Sequence, residues 1–174
     1  MFTIPNLGLS IQNGFYWIIS ASLILTFIIF INTNLKDPML REIKKKEEKL
    51  SFGKSIELYI NRVLHCISTI CIMGLPYIFK PELWLYIFYE MYLFLAVYSW
   101  GLLRECPYSI HEKQILDPKY RNGDTNVNPF IELLNIPSNV YLPIFRIMYI
   151  INFGLISYIL YEYYISDKNV LLGN

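Results

Sequence analysis

No charged residue occurs from Met1 to Leu35, and the stretch FYWIISASLILTFIIFI is apolar almost throughout. An α-helix needs about 20 mostly apolar residues to cross a hydrocarbon core. The pattern predicts a first span over residues 14–34. It is long for a signal-peptide core and has no basic start, so a retained span is expected. A second span is expected over residues 58–79, with VLHCISTICIMGLPYIF as its uncharged part. A third, LWLYIFYEMYLFLAVYSWGLL over residues 83–103, is interrupted only by Glu90. A fourth is expected over residues 142–163, with Arg146 near its start. Phe79-Lys80-Pro81-Glu82 leaves room only for a tight hairpin between spans two and three. The expected fold is all-α: one integral membrane domain, 1–174, built as a four-transmembrane-helix bundle, with short interfacial helices in two loops, 36–57 and 104–141.

Each loop carries helix punctuation. In DPMLREIKKKEEKLSFG, Asp37 is an expected N-cap, Pro38 takes the first helical position and Gly53 is an expected stop. Glu42 and Lys46 are spaced for a favourable pair one turn apart. Lys44, Lys45, Lys46 and Lys49 are the lysines expected to face anionic lipid headgroups. In the second loop, Cys106-Pro107 ends span three. Ser109-Ile110-His111-Glu112 then reads as a capping box, with Ser109 at the N-cap and Glu112 three residues on. Pro107, Ser109 and Glu112 are thus assigned structural capping roles. Asp117-Pro118 closes that helix, Asn122-Gly123-Asp124 forms a turn, and Asn128-Pro129 opens a further short helix.

Charge gives the spans a direction. Lys36, Arg41, Lys44, Lys45, Lys46, Lys49, Lys54 and Arg62 fall in or beside the first loop, and Arg104, Lys113, Lys119, Arg121 and Arg146 in or beside the third connection. Only Lys80 and Lys168 of the 15 basic residues fall on the other side. Positive-inside bias therefore predicts cytosolic loops and non-cytosolic termini. The net charge of +1 gives no global field for nucleic acid, and none is expected as a partner. The 55% hydrophobic content suits a chain partnered with a lipid bilayer. Abundant Ile, Tyr, Asn and Lys with only Ala21 and Ala96 is the composition of an AT-rich genome, such as a protist or large DNA virus carries.

Ionisable and amide groups inside spans are costly, and each needs a partner or a function. Glu90 stands among aromatic residues in span three and is a candidate for proton or ion handling. His65 continues a stripe of Asn61, Arg62, Ser68 and Thr69 along span two. Span four contributes Asn152. In the second loop, Cys106, His111 and Glu112 are weak candidates for a catalytic set, with Cys106 as nucleophile and His111 as base. Cys66, Cys71 and Cys106 show no paired spacing, so neither a disulfide framework nor a structural metal site is expected. No cofactor is expected.

Cys106-Pro107-Tyr108-Ser109-x-x-Glu112 resembles the C-P-L-T-x-x-E signature of small multi-pass membrane proteins of unknown function. Tyr108 replaces the Leu of that signature and Ser109 its Thr. The resemblance implies a helix, Cys-Pro corner and capped helix in a membrane setting, and carries no activity across. The function expected of this chain is that of a non-enzymatic scaffold, assembly or trafficking component that binds through ordered cytosolic loops; the alternatives are a small oligomeric channel or proton/ion pathway using Glu90, and a membrane-interface enzyme using Cys106, His111 and Glu112. Other membrane proteins or further copies of the chain are the expected partners.

Overall fold

The computed structural model describes residues 7–32, 38–79, 82–103, 105–121, 133 and 138–171, without the side chains of Met39, Ser138, Asn139 and residues 166–171. Among these the secondary structure is helical: α1 (Ile11–Ile31), α2 (Pro38–Glu47), α3 (Phe52–Ile78), α4 (Leu83–Leu103), α5 (Pro107–Leu116) and α6 (Ser138–Leu171). Four of these, α1, α3, α4 and α6, are long and apolar enough to cross a membrane. The proposed Asp37 cap, the turn at residues 122–124 and the helix from Pro129 lie outside the described residues.

α3 is the hub. It packs against α1, α4, α5 and α6, while α4 and α6 also pack on each other. Its place follows from its composition: a stripe of Asn61, Arg62 and His65 must be taken out of lipid, and all three are buried. α1 meets α3 through Gly14, Ile18, Ser22, Thr26 and Ile29, spaced three or four apart along one face. Small residues on that face bring the helices close. A Cβ at position 14 would overlap the Phe79 ring. The segment before α1 is tied to the end of α3 by backbone bonds from Leu7 N–H to the Tyr77 carbonyl and from Leu9 N–H to that of Ile78, 2.7 and 3.1 Å long.

The main core gathers Ile18, Ile72, Leu75, Phe79, Tyr86, Tyr89, Leu93 and Ile156 among α1, α3, α4 and α6. Phe27, Ile28 and Phe30 of α1, Phe88, Phe94 and Leu95 of α4, and Ile147 and Ile150 of α6 face outward. Outward apolar side chains on all sides of a helical bundle are what lipid contact requires.

Pro76 interrupts α3 without ending it. A proline lacks the N–H that would bond the carbonyl one turn back, here that of Ile72. That carbonyl is taken instead by the Tyr89 hydroxyl at 2.5 Å and the Asn152 amide at 3.0 Å. Asn152 also donates to the Met73 carbonyl at 3.1 Å and the Tyr89 oxygen at 3.1 Å, and accepts from the Tyr77 hydroxyl at 2.7 Å. Inside a bilayer no water would replace these partners. One amide thus joins α3, α4 and α6 at the backbone position that Pro76 opens.

Two helix-boundary expectations are corrected. Gly53 does not stop α2, which ends at Glu47; it lies in the first turn of α3. Ser109 is not an N-cap, because α5 begins two residues earlier with Pro107 at its first position and Cys106 as its cap. The preset φ of proline makes Pro107 the stronger start signal. It carries Ser109 and Glu112 into the body of the helix, where both are buried.

Candidate functional site

The polar chemistry of the described residues concentrates where α2, α3 and α5 meet. Arg62 is 1% exposed, and two carboxylates converge on it. Its Nε donates to Glu112 Oε1 at 2.8 Å, and one terminal nitrogen donates to the same oxygen at 2.7 Å. That nitrogen also meets Glu47 Oε1. Glu47 comes from the last turn of α2 and Glu112 from the middle of α5. One guanidinium therefore bonds both loop helices to α3. Its planar, forked donors suit this task, which a lysine ammonium could perform only as a point charge. Burial pushes the Glu112 carboxyl above the ordinary carboxylate range, against the pull of Arg62. Its second oxygen, Oε2, is buried with no hydrogen-bond partner among the described residues.

Lys44 extends the cluster to α1. Its ammonium lies 3.0 Å from Glu47 Oε2 and donates to the carbonyls of Ile29 and Phe30 at 2.9 and 2.8 Å. These are carbonyls of the last turn of α1, the negative end of the helix dipole. Of the four lysines expected at headgroups, Lys44 is therefore turned inward. Lys45, Lys46 and Lys49 are exposed, and Lys46 is 3.6 Å from Glu42.

A second group lies one turn further along α3. His65, 4% exposed, places Nε2 at 3.6 Å from Cys106 Sγ. The Tyr108 ring stacks on the imidazole with centroids 5.5 Å apart, and Asn61 holds the Tyr108 carbonyl at 2.9 Å. Cys106 is half-buried. Burial pushes its thiol above the ordinary value, against the pull of the Ser109 and Tyr108 N–H groups. The corner around it is pinned by Lys113, which lies 2.6 Å from Glu105 Oε2 and 3.1 Å from the Tyr120 hydroxyl. Tyr120 in turn donates to the other Glu105 oxygen.

The structure thus brings Arg62 to Glu112 and Cys106 to His65, and it separates Cys106 from His111. Five residues along a helix turn the side chain by about 140° from its starting direction. His111 is accordingly half exposed and 3.3 Å from Glu57. Glu90 stands apart, accepting from the Ser157 hydroxyl across the α4–α6 contact. Glu47 is the residue that sequence reasoning passed over. Its one local signal is its spacing from Lys44; nothing in the chain pairs it with Arg62. Among the described residues no group of three or more His, Cys, Asp and Glu side chains could hold a metal ion. Comparison with protein-family models, with curated proteins and with solved structures returns no match.

Proposed function

We propose that this chain is a four-span membrane protein whose cytosolic face is a prefolded docking platform, serving as a scaffold, assembly or trafficking component rather than as an enzyme. One observation carries the reading: buried Arg62 joins Glu47 of α2 and Glu112 of α5 to the central helix. A loop that only connects spans has no use for such a clamp. Fixing two charged helices in one arrangement has a use if their outer faces are read by a partner. Those faces carry Arg41, Lys45 and Lys49 on and just after α2, and His111 and Gln114 on α5. The side of the membrane follows from the distribution of Lys and Arg. The resemblance of the Cys106–Glu112 corner to other multi-pass proteins fits the same setting.

The other two readings draw less support. One oxygen of the Glu90 carboxyl accepts from Ser157 and so joins α4 to α6, which weakens the ion-pathway reading, although the other oxygen is buried with no hydrogen-bond partner among the described residues. The set Cys106, His111 and Glu112 is not gathered in space, which weakens the enzyme reading in that form.

The test is photo-crosslinking in the native membrane, with the crosslinking group at position 45 or 114. The reading expects discrete adducts that disappear when Arg62→Met releases the loop helices. No adduct, or the same adducts with Arg62→Met, would remove its basis.

A further inference from the structure

A small cavity lies beside the Arg62 clamp, where the last two turns of α1 meet the end of α2 and the start of α3. Thr26, Phe30, Glu47, Ser55, Tyr59 and Arg62 stand in its wall. Its volume is about 10 Å³, room for one water molecule and little else.

The buried part of that wall is polar. Thr26 is fully buried, and its hydroxyl has no hydrogen-bond partner among the described residues. A buried hydroxyl left in that state destabilises the fold. Arg62 supplies complementary donors. Its bonds to Glu47 and Glu112 use Nε and one terminal nitrogen, so the N–H groups of the other terminal nitrogen stand outside both ion pairs. The Ser55 hydroxyl donates to the Ser51 carbonyl at 3.2 Å, which leaves its oxygen as an acceptor. The charges nearby balance, with Arg62 and Lys44 set against Glu47 and Glu112. A neutral ligand is therefore favoured over an ion, and the volume restricts it to a group with one non-hydrogen atom.

We propose that this cavity is a binding site for a single water molecule that bridges the Thr26 hydroxyl to the second terminal nitrogen of Arg62. A buried water is held where it finds two to four polar partners in a space of its own size. The bridge extends the clamp to α1, so that Arg62 joins α1, α2 and α5 to the central helix. The hydroxyl of a lipid headgroup offers the same chemistry, and Phe30, at 53% exposure, stands in the cavity wall on the lipid-facing side of α1. The proposal goes beyond the platform reading and does not depend on any partner.

The test uses the full-length protein in nanodiscs of phosphatidylcholine, a lipid without a hydroxyl. Solid-state NMR with polarisation passed from water to protein should show transfer to the Thr26 side chain as fast as to Ser55, and slow transfer to Ile18 in the apolar core. This measurement is made on the wild-type chain and needs no variant to fold. Thr26→Val then separates a bridged hydroxyl from an orphaned one by sign. Removing an orphaned hydroxyl stabilises the fold, whereas removing a bridged one should raise the unfolding equilibrium constant about fivefold. Slow transfer to Thr26, or a Thr26→Val protein at least as stable as the wild type, would overturn the proposal. Transfer to Thr26 that gives way to lipid-hydroxyl contacts when phosphatidylglycerol is added would overturn water as the occupant.

Discussion

The side-chain amide of Asn152 donates to the carbonyl of Ile72 across the α3–α6 contact, at 3.0 Å. That carbonyl is available because Pro76 has no N–H to offer it. The two residues are therefore coupled, although they lie on different helices. Asn152→Ala should lower stability by about 1–3 kcal/mol, the cost of leaving buried polar groups unsatisfied. In a Pro76→Ala background the loss should shrink, because the helix can then bond Ile72 itself. Unfolding in mixed detergent, run as a double-mutant cycle, measures this coupling. Strictly additive losses would dissociate Asn152 from the proline.

Arg62 is placed between Glu47 and Glu112 with almost no exposure to solvent. Removing one partner of a buried ion pair typically costs about 3–5 kcal/mol, because the other is left uncompensated. Arg62→Met should lose that much in detergent-solubilised protein followed by tryptophan fluorescence. Arg62→Lys should recover only part of the loss, since an ammonium cannot fork to two carboxylates. Full recovery by lysine would show that charge alone matters and that the forked geometry does not.

Gly14 faces the Phe79 ring with no room for a Cβ. Phe79 is itself 1% exposed and packed against Phe15, with centroids 5.3 Å apart, so the ring has little space to yield. Gly14→Ala should destabilise by about 1–3 kcal/mol through overpacking, despite the better helix propensity of alanine. Gly101, whose Cβ would meet nothing within 4 Å, serves as the control and should tolerate alanine. A neutral Gly14→Ala would mean that α1 can withdraw from α3 at little cost.

Cys106 gives a pH prediction. Its thiol is held above the ordinary value, chiefly by burial. Only the thiolate reacts with maleimides or iodoacetamide. A raised value means less thiolate at neutral pH, so alkylation there should be slower than for an exposed cysteine. Its rate should keep rising beyond about pH 8.5, where an ordinary thiol levels off. Rates measured by mass spectrometry across that range check the sign; fast, pH-independent alkylation below neutrality would reverse it.

The spans were legible in the chain because twenty apolar residues in a row have few other uses. Their ends were legible to within a few residues, except that α3 and α6 extend beyond the apolar windows; α3 begins at Phe52 rather than residue 58. That extension carries Glu57, which pairs with His111, onto the same helix as Asn61, Arg62 and His65. The individual polar residues Arg62, His65, Glu90 and Asn152 stood out by cost alone. Their partners did not, since pairing of Arg62 with Glu47 and of His65 with Cys106 depends on how α2 and α5 fold back on α3. Ser109 and Glu112 show the limit of local motifs. A capping-box pattern was present, but Pro107 started the helix earlier and left Glu112 free to reach Arg62.

The account turns on the claim that the Arg62 guanidinium couples α2 and α5 to the bundle and to each other. Amide hydrogen exchange of the nanodisc-embedded protein tests this most directly. The wild-type chain should protect the amides of Arg41–Glu47 and Ile110–Leu116, and Arg62→Met should release both segments together while α4 and α6 stay protected. Exchange of α2 and α5 at the rate of open loops in the wild-type protein, or loss of protection in only one of them on Arg62→Met, would contradict it.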